Sequence, residues 1–206
     1  MKQGSKQLGK AFLGLALGLV WLIPFYLMVT NSFKTKQEIF TNPLKFPEAF
    51  TFENYPEAFR QLDFIRTLAN SLLITVSSVI IIVIFSAMAA YALERIKSKF
   101  STVTFMVFVA AMLVPFQSVM IPLVALFGKA QMLNQIGIIF MYLGFGGSMS
   151  IFLYHGAMKS IPRALDEAAI IDGASRWQVF WKVIFPMLKP TTVTVAVLNT
   201  MWIWND

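Results

Sequence analysis

The chain has 206 residues, of which 57% are hydrophobic and 13% are charged, and its mean hydropathy is +0.68. A soluble domain of this size needs more polar surface, so the composition excludes a water-soluble globular fold and indicates a membrane protein. The net charge of +7 does not indicate nucleic-acid binding, because the basic residues stand at the ends of apolar runs and form no continuous stripe. The absence of cysteine excludes disulfides, thiol catalysis and cysteine-bound zinc.

The first apolar run covers residues 11–29 and follows Lys2, Lys6 and Lys10. At about 1.5 Å per residue, this run is long enough to cross a hydrocarbon core of about 30 Å. It ends in bulky aromatic residues and lacks a small-x-small cleavage site, which favours a retained helix over a secretory signal peptide. Residues 1–30 therefore predict an N-terminal end and a first transmembrane helix.

Residues 31–66 are polar, aromatic and interrupted by prolines. A loop of this length is usually functional or disordered, and the aromatic content argues against plain disorder. The segment is predicted to be an extracytoplasmic loop. Two readings stay open: a small subdomain with its own contact surface, or a connector folded onto the helix ends.

The remainder, 67–206, predicts a core domain with several spanning helices. Its apolar runs are 68–93, 103–127 and 136–158, followed after an interruption by 191–206. Pro115 and Pro122 remove backbone hydrogen bonds that lipid cannot replace, so we expect the 103–127 helix to be kinked and packed inside the bundle. The following run, 136–158, contains several glycines near its centre, which predict a weakened or broken helix there.

The longest charged interruption, residues 160–190, predicts a loop of two short helices. Gly173 stands where a left-handed residue would end the first helix. Ser175 followed by Gln178 has the spacing of a capping box, which would begin the second helix. An apolar stripe then continues this second helix as far as Pro186: Trp177, Phe180, Trp181 and Ile184.

The distribution of basic residues predicts the orientation of the chain. Eleven of the 17 lysines and arginines fall in the N-terminus, the 94–100 turn and residues 159–190. Short loops decide the positive-inside rule, and the short loop on the opposite side contains only Lys129. The N-terminus and the 160–190 loop are therefore expected to be cytoplasmic.

The 160–190 loop also contains three groups of residues: Glu167-Ala168-Ala169, Asp172-Gly173 and Val183-x-Phe185-Pro186. Their order and spacing resemble the EAA motif of the transmembrane subunits of ATP-binding-cassette importers. Val183 and Phe185 replace the more usual Ile and Leu, and both replacements are apolar. Further stretches resemble the maltose and multiple-sugar permeases: Tyr91-Ala92-Leu93-Glu94-Arg95, Val114-Pro115-Phe116-Gln117, Ile121-Pro122-Leu123, Leu133-Asn134 and Trp204-Asn205-Asp206.

This resemblance implies an all-α membrane protein, a polytopic transmembrane helix bundle of the type I (MetI-like) importer permease kind. Such permeases have six spanning helices, and about five are expected here, the last of them an incomplete helix at 191–206. We therefore expect the sequence to be C-terminally truncated. The resemblance also implies a multi-pass location in a bacterial or archaeal plasma membrane.

The resemblance assigns roles to individual residues of the loop. Glu167 is expected to be a polar contact to a cytoplasmic ATPase, and Ala168 and Ala169 are expected to be small so that the helix enters a groove on that partner. Gly173 supplies the turn between the two helices. Asp172 and Pro186 complete the expected ATPase-coupling set.

The family resemblance also implies the partners: a second permease subunit in a heterodimer, an ATPase dimer, an extracytoplasmic solute-binding protein that the 31–66 loop could contact, a sugar, and the membrane. Neither a cofactor nor a nucleic acid is implied. ATP hydrolysis would be carried out by the ATPase, so the chain itself is expected to be a transport subunit and not an enzyme.

Polar residues at mid-membrane depth are candidates for the substrate path: Gln117, Ser148, Ser150 and Asn199. Each could equally bridge two helices by hydrogen bonds. Beyond these, the sequence contains no catalytic motif, and we expect a structural or incidental role for the single histidine, His155. Glu94 and Arg95 are interpreted as solvated or interfacial charges, and Asp166 as part of a solvated face.

Two alternatives remain from the sequence. One is an importer permease for another solute, such as an amino acid, phosphate or a polyamine, and the order of the flanking motifs argues for sugar. The other is a membrane scaffold or intramembrane enzyme without a transport role. Association with an ATP-binding-cassette ATPase would discriminate between transport and the second alternative.

Overall fold

The computed structural model describes the backbone of residues 2–206 and the side chains of residue 7 and residues 10–206. The described residues form helices and connecting segments, with no strand among them. The helices are α1 (Lys2–Ser32), α2 (Lys36–Thr41), α3 (Asn54–Gln61), α4 (Phe64–Arg95), α5 (Lys99–Ala111), α6 (Phe116–Lys129), α7 (Gln135–Met158), α8 (Ala164–Ile171), α9 (Arg176–Val179), a π-helical segment (Phe180–Ile184), α10 (Phe185–Met187) and α11 (Lys189–Asn205).

Within the described part of the chain, three helical stretches are long and apolar enough to cross a membrane: Lys10–Ser32, Phe64–Arg95 and Gln135–Met158. The number rises to five if each of two bent helix pairs forms one span. One pair joins α5 to α6 at 102°, and the other joins Arg176–Met187 to α11 at 76°. The expected all-α, polytopic membrane fold is confirmed.

The chain divides into two compact units, Met1–Leu68 and Ala69–Asp206. In the first unit, Lys34, two residues after the end of α1, is fully buried. Its ammonium donates hydrogen bonds to Asn31 Oδ1 at 2.9 Å, to the carbonyl of Asn42 at 2.9 Å and to the carbonyl of Pro43 at 3.2 Å. Because a buried ammonium is costly unless its donors are satisfied, these oxygens and Lys34 hold one another in place.

An aromatic cluster covers the same region of the first unit. The ring of Phe33 makes edge contacts with Phe50 and Phe52, with centroids 5.8 and 5.5 Å apart. Asn54 donates to the carbonyls of Ser32 and Lys34 at 2.9 and 2.7 Å. The segment after α1 is therefore a folded unit held by specific polar and aromatic contacts.

In the second unit, the expected single helix at 103–127 is replaced by α5 and α6. Pro115 has no N–H to continue a helix and restricts the residue before it, so α5 ends at Ala111 and a new helix begins at Phe116. The bend is much sharper than the expected kink. The prediction that this segment packs inside is also wrong, because most of its side chains are exposed and Phe127 is the buried residue of α6.

The predicted weakening of the helix over 136–158 is wrong as well, since α7 is continuous from Gln135 to Met158. Its glycines bring neighbouring helices close. A Cβ on Gly146 would lie 2.8 Å from Ile82 Cδ1 and would also collide with Asn199 Oδ1. In lipid a broken helix would leave backbone groups unsatisfied, so the helical hydrogen bonds persist through the glycines.

The core of the second unit gathers side chains from α4, α7, the loop after α7, and α11. Its fully buried members include Ile82, Ala87, Ala90, Tyr154, Met158, Ile184 and Val195. Small residues of α4 contribute to the close helix contact, and the hydroxyl of Ser86 donates to the carbonyl of Gly147 at 3.5 Å. This core is the base on which the 160–190 loop rests.

Candidate functional site in the loop at residues 160–190

The first helix of the loop, α8, ends in a turn that requires glycine. Gly173 has φ of +86°, a left-handed conformation that other residues adopt only at a cost. The amide of Gly173 donates to the carbonyl of Ile170 at 3.0 Å, and the amide of Ala174 donates to the carbonyl of Ala169 at 2.9 Å. These two bonds form a Schellman motif, so the predicted left-handed helix end is confirmed.

The predicted capping box at the start of the second helix is also confirmed. Ser175 Oγ accepts from the amide of Gln178 at 3.3 Å, and Gln178 Oε1 accepts from the amide of Ser175 at 2.8 Å. The regular α-helix of α9 ends at Val179, because the chain then enters the π-helical segment that precedes α10 and Pro186. Proline has no N–H to donate, and the wider π turn accommodates the missing bond.

The π turn changes which side chains the loop buries. The buried residues of its second half are Val179, Phe180, Ile184 and Leu188. Ile184 follows Val179 by five positions, the spacing of a π turn, whereas an α-helix repeats a face after three or four. Trp177 was predicted to belong to this apolar stripe, and that prediction is wrong, because its side chain is 59% exposed. The buried residues fasten the loop to the core of the second unit.

Opposite this buried side, α8 presents an exposed face that we call the docking face: Glu167, Ala168, Ile171 and Asp172. Ile171 is 85% exposed, so this face combines charged and apolar side chains. Ala169 is half-buried and packs against the core. Two adjacent alanines thus face different surroundings. Gly173 and Pro186 are exposed as well.

Asp166 connects α8 to the end of α4. Its Oδ2 lies 2.8 Å from Arg95 Nη2 as an ion pair, while its Oδ1 accepts from the hydroxyl of Tyr91 at 2.8 Å and from Arg95 Nε at 3.2 Å. The interpretation of Asp166 as a solvated charge is wrong, because its side chain is only 11% exposed. A buried carboxylate requires this kind of charged and hydroxyl partner.

Arg95 is likewise not a solvated charge, since its side chain is 12% exposed and its guanidinium also donates to the carbonyl of Ile161 at 3.3 Å. Arg163 donates from the loop to the backbone carbonyl of Glu94. The sequence reasoning missed this network. Tyr91 and Arg95 do stand in a stretch that resembles the sugar permeases, which was the available signal.

Glu94 and His155 form a second buried pair beside this network, with Glu94 Oε2 3.2 Å from His155 Nε2. The imidazole stacks on the ring of Phe105 with centroids 3.9 Å apart. Of the two readings of Glu94, a solvated or an interfacial charge, the solvated one is wrong, because its side chain is only 17% exposed. His155 instead joins the ends of α4, α5 and α7, which is a structural arrangement.

The four candidate residues of the substrate path lie on three helices: Gln117 on α6, Ser148 and Ser150 on α7, and Asn199 on α11. Ser150 and Asn199 are brought together, because Asn199 Nδ2 donates to Ser150 Oγ at 3.1 Å and bridges α7 to α11. Ser148 is buried and lines a groove of about 490 Å³ between α7 and the α5–α6 bend. Gln117 is exposed on α6 and does not line this groove with Ser148.

Among the described residues, no cluster of three or more His, Cys, Asp or Glu side chains could hold a metal ion. What the chain does offer is a polytopic helical bundle with a rigid, outward-facing helix on a loop between two spans. This arrangement fits the class of multi-pass membrane transport subunits.

Residues 82–206 match the family described as "Binding-protein-dependent transport system inner membrane component", and the chain belongs to this family. It is 56% identical to the probable starch degradation products transport system permease protein AmyC of Thermoanaerobacterium thermosulfurigenes, over 95% of this chain and 71% of that protein. It is 37% identical to the multiple sugar-binding transport system permease protein MsmG of Streptococcus mutans, over 92% of this chain and 69% of that protein.

The fold is similar to that of a solved bacterial ABC transporter. That crystal structure is described as involved in the import of the acidic polysaccharide alginate, and the match has a TM-score of 0.80 and 25% identity. It covers 98% of this chain and 72% of the matched chain. The expected family and the expected helical permease fold are thus confirmed.

Proposed function

We propose that the chain is the permease subunit of an ATP-driven sugar importer, which forms the translocation path with a second permease and couples to a cytoplasmic ATPase through the docking face. The observation that carries the sugar assignment is the 56% identity to a permease named for starch degradation products, over 95% of the chain. A relative named for multiple sugars supports the same solute class. A soluble binding protein would deliver the sugar from outside.

The geometry of α8 supports the coupling role. The docking face combines a carboxylate at Glu167, a small residue at Ala168 and an exposed apolar side chain at Ile171. A small residue lets a helix enter a narrow groove, and an exposed apolar residue gains stability when a partner covers it. Glu167 would then make the polar contact at the edge of the ATPase groove.

Motion of the ATPase would reach the membrane helices because the loop is attached to them rigidly. Asp166 is fastened to Arg95 at the end of α4, and Leu188 at the start of α11 is buried in the core. When ATP binding closes the ATPase dimer, α8 would move with its groove and displace α4 and α11. The bundle would thereby switch between inward and outward access.

The orientation belongs to the same proposal. The positive-inside distribution places α8 and the N-terminus in the cytoplasm, and the folded segment after α1 on the outside, where the binding protein would contact it. The chain contains no cysteine, so single cysteines at Ile171 and Phe40, both exposed, can be labelled from either side. Labelling of Ile171→Cys from outside in intact cells would contradict this orientation.

For the substrate path we propose the four polar positions at mid-membrane depth: Gln117, Ser148, Ser150 and Asn199. Gln117 and Ser148 are the stronger candidates, because neither takes part in the hydrogen bond that bridges α7 and α11. Ser150 and Asn199 already bond to one another, so their replacement would also loosen α7 and α11. A change in sugar preference at unchanged ATPase assembly would identify a path residue. A loss of assembly would identify a bridging residue.

The coupling test uses the full-length protein with Glu167→Lys and Gly173→Pro combined. The lysine reverses the charge on the docking face, and proline can neither adopt φ of +86° nor donate the amide bond to Ile170. We expect sugar uptake and co-purification of the ATPase to be lost while membrane insertion is retained. Lys182→Glu, an exposed charge reversal on the π-helical segment, is the matched control, and unchanged uptake in the double variant would refute the coupling role.

A further inference from the structure

A groove of about 460 Å³ lies where the end of α4, the start of α5 and the end of α7 meet. We call it the basic groove, and the residues that matter are Glu94, Lys97, Lys99, Phe105, His155 and Lys159. Its volume is in the range of small-molecule sites, which is about 300–1,000 Å³. The three helix ends place it where the apolar stretches of the spans stop, at the level of lipid headgroups.

The charge of the groove is not neutralised within the protein. None of the three lysines has a carboxylate within ion-pair distance among the residues whose side chains are described. Glu94 is the acidic residue of the lining; its contact with His155 at 3.2 Å cancels its charge only when the imidazole is protonated, so three ammonium groups face one carboxylate and the balance is positive. Three ammonium groups from two different segments therefore converge on one space and create a positive potential there.

The apolar wall of the groove decides which anion fits. Leu93, Phe105 and Met106 are among its apolar lining residues, and Met106 is 57% exposed. A free phosphate in water gains nothing from this wall, whereas the glycerol and first acyl carbons of a lipid do. The 13-residue helix α5 also begins at the groove, and its N-terminal dipole adds to the attraction for a phosphate.

We propose that the basic groove binds the phosphate headgroup of an anionic phospholipid in the surrounding leaflet, with Lys97, Lys99 and Lys159 around the phosphate and the acyl chain along Phe105 and Met106. Because Phe105 stacks on His155 and His155 pairs with Glu94, the lipid would rest on residues next to Arg95. The bound lipid would thus support the α4 end that holds α8. The proposal depends on the proposed function only in placing these helix ends at a membrane surface.

The test measures lipid binding to the full-length transporter, purified with its partners and stripped of lipid, by native mass spectrometry. The added probes are dioleoyl phosphatidylglycerol, dioleoyl phosphatidylcholine and inorganic phosphate. We expect selective retention of phosphatidylglycerol. Lys97→Gln with Lys159→Gln should raise its Kd about fivefold for each lysine removed, since each contributes roughly the energy of one surface lysine at an anionic membrane.

Two further variants make the result specific. Lys97→Arg with Lys159→Arg keeps both charges and should retain the lipid, and Lys36→Gln with Lys45→Gln removes the same charge elsewhere and should also retain it. Equal binding of the two lipids, or an unchanged Kd in the Lys97/Lys159→Gln variant, would overturn the proposal. If inorganic phosphate displaced bound phosphatidylglycerol as effectively as added phosphatidylglycerol does, the groove would be assigned to a soluble anion instead.

Failure of this proposal is distinguishable from failure of the proposed function. Lipid binding is read by mass and does not depend on which solute is carried, whereas sugar uptake reports the transport assignment. Loss of lipid selectivity with intact uptake would reject the lipid site alone. Intact lipid selectivity in a transporter that does not import sugar would reject the sugar assignment alone.

Discussion

Arg95 and Asp166 form an ion pair with Arg95 Nη2 and Asp166 Oδ2 2.8 Å apart, and the two side chains are only 12% and 11% exposed. They are 71 residues apart in the chain, and no other ion pair among the described residues links α8 to a spanning helix. The attraction within so buried a pair offsets the cost of desolvating both charges only because the geometry is good and further hydrogen bonds are made. Its role is to hold the docking helix in one position on the end of α4.

Removing one partner of this pair should be strongly destabilising. Arg95→Met leaves the carboxylate of Asp166 buried with only the hydroxyl of Tyr91 as a partner, and we expect a loss of about 3–5 kcal/mol. Thermal unfolding of the purified transporter would show a lower Tm. Arg95→Met with Asp166→Leu removes both charges and should recover much of this loss, so an equal or additive loss in the double variant would contradict a buried pair.

Gly146 should tolerate no side chain. Because a Cβ there would lie 2.8 Å from Ile82 Cδ1, Gly146→Ala forces α7 away from α4 and should cost about 1–3 kcal/mol. Gly144, one half-turn away, has open space around a Cβ, and Gly144→Ala is the matched control that should lower the Tm little or not at all. Equal Tm values for both variants would show that the helices do not approach as described.

Gly173 should be replaceable only by residues that accept a left-handed conformation. At φ of +86°, Gly173→Ala should cost roughly 1–2 kcal/mol, since a Cβ is disfavoured there. Gly173→Asn should be milder because asparagine enters this region more readily. The measurement is the Tm of the purified protein, and ATPase co-purification is a second readout of the proposed coupling role. Identical behaviour of Ala and Asn would indicate that the turn is not strained.

Lys34 should be required for the folded segment after α1. Lys34→Met leaves the oxygens of Asn31, Asn42 and Pro43 without their shared donor, and each lost bond to a charged group is worth about 1.5–3 kcal/mol. We expect faster limited proteolysis within residues 36–62 in membrane vesicles. Lys36→Met changes an exposed lysine and should leave the cleavage rate unchanged.

Local features of the 160–190 loop were predictable because their causes are local. Gly173 ends a helix for reasons contained in a few neighbouring residues, and the Ser175–Gln178 capping box needs only three-residue spacing. The break before Pro115 follows equally from the ring of one residue. The angle of 102° between α5 and α6 does not follow from that ring alone, because it also depends on how α5 packs against α7.

Hydrophobicity and the order of motifs were sufficient for the membrane class, the helical fold and the family, because lipid admits few backbone solutions and the spans must be long and apolar. Hydrophobicity and motif order could not show which residue a charged side chain pairs with. Asp166 was interpreted as part of a solvated face, and Glu94 and Arg95 as solvated or interfacial charges. Only the packed structure shows how little solvent reaches them, because it brings the ends of α4, α7 and α8 together. Glycines in α7 likewise looked like weak points until α4 and α11 were found against them. These contacts join residues far apart in the chain, and no local sequence pattern encodes them. In the tertiary structure the same charged residues and glycines hold α8 and the spanning helices together.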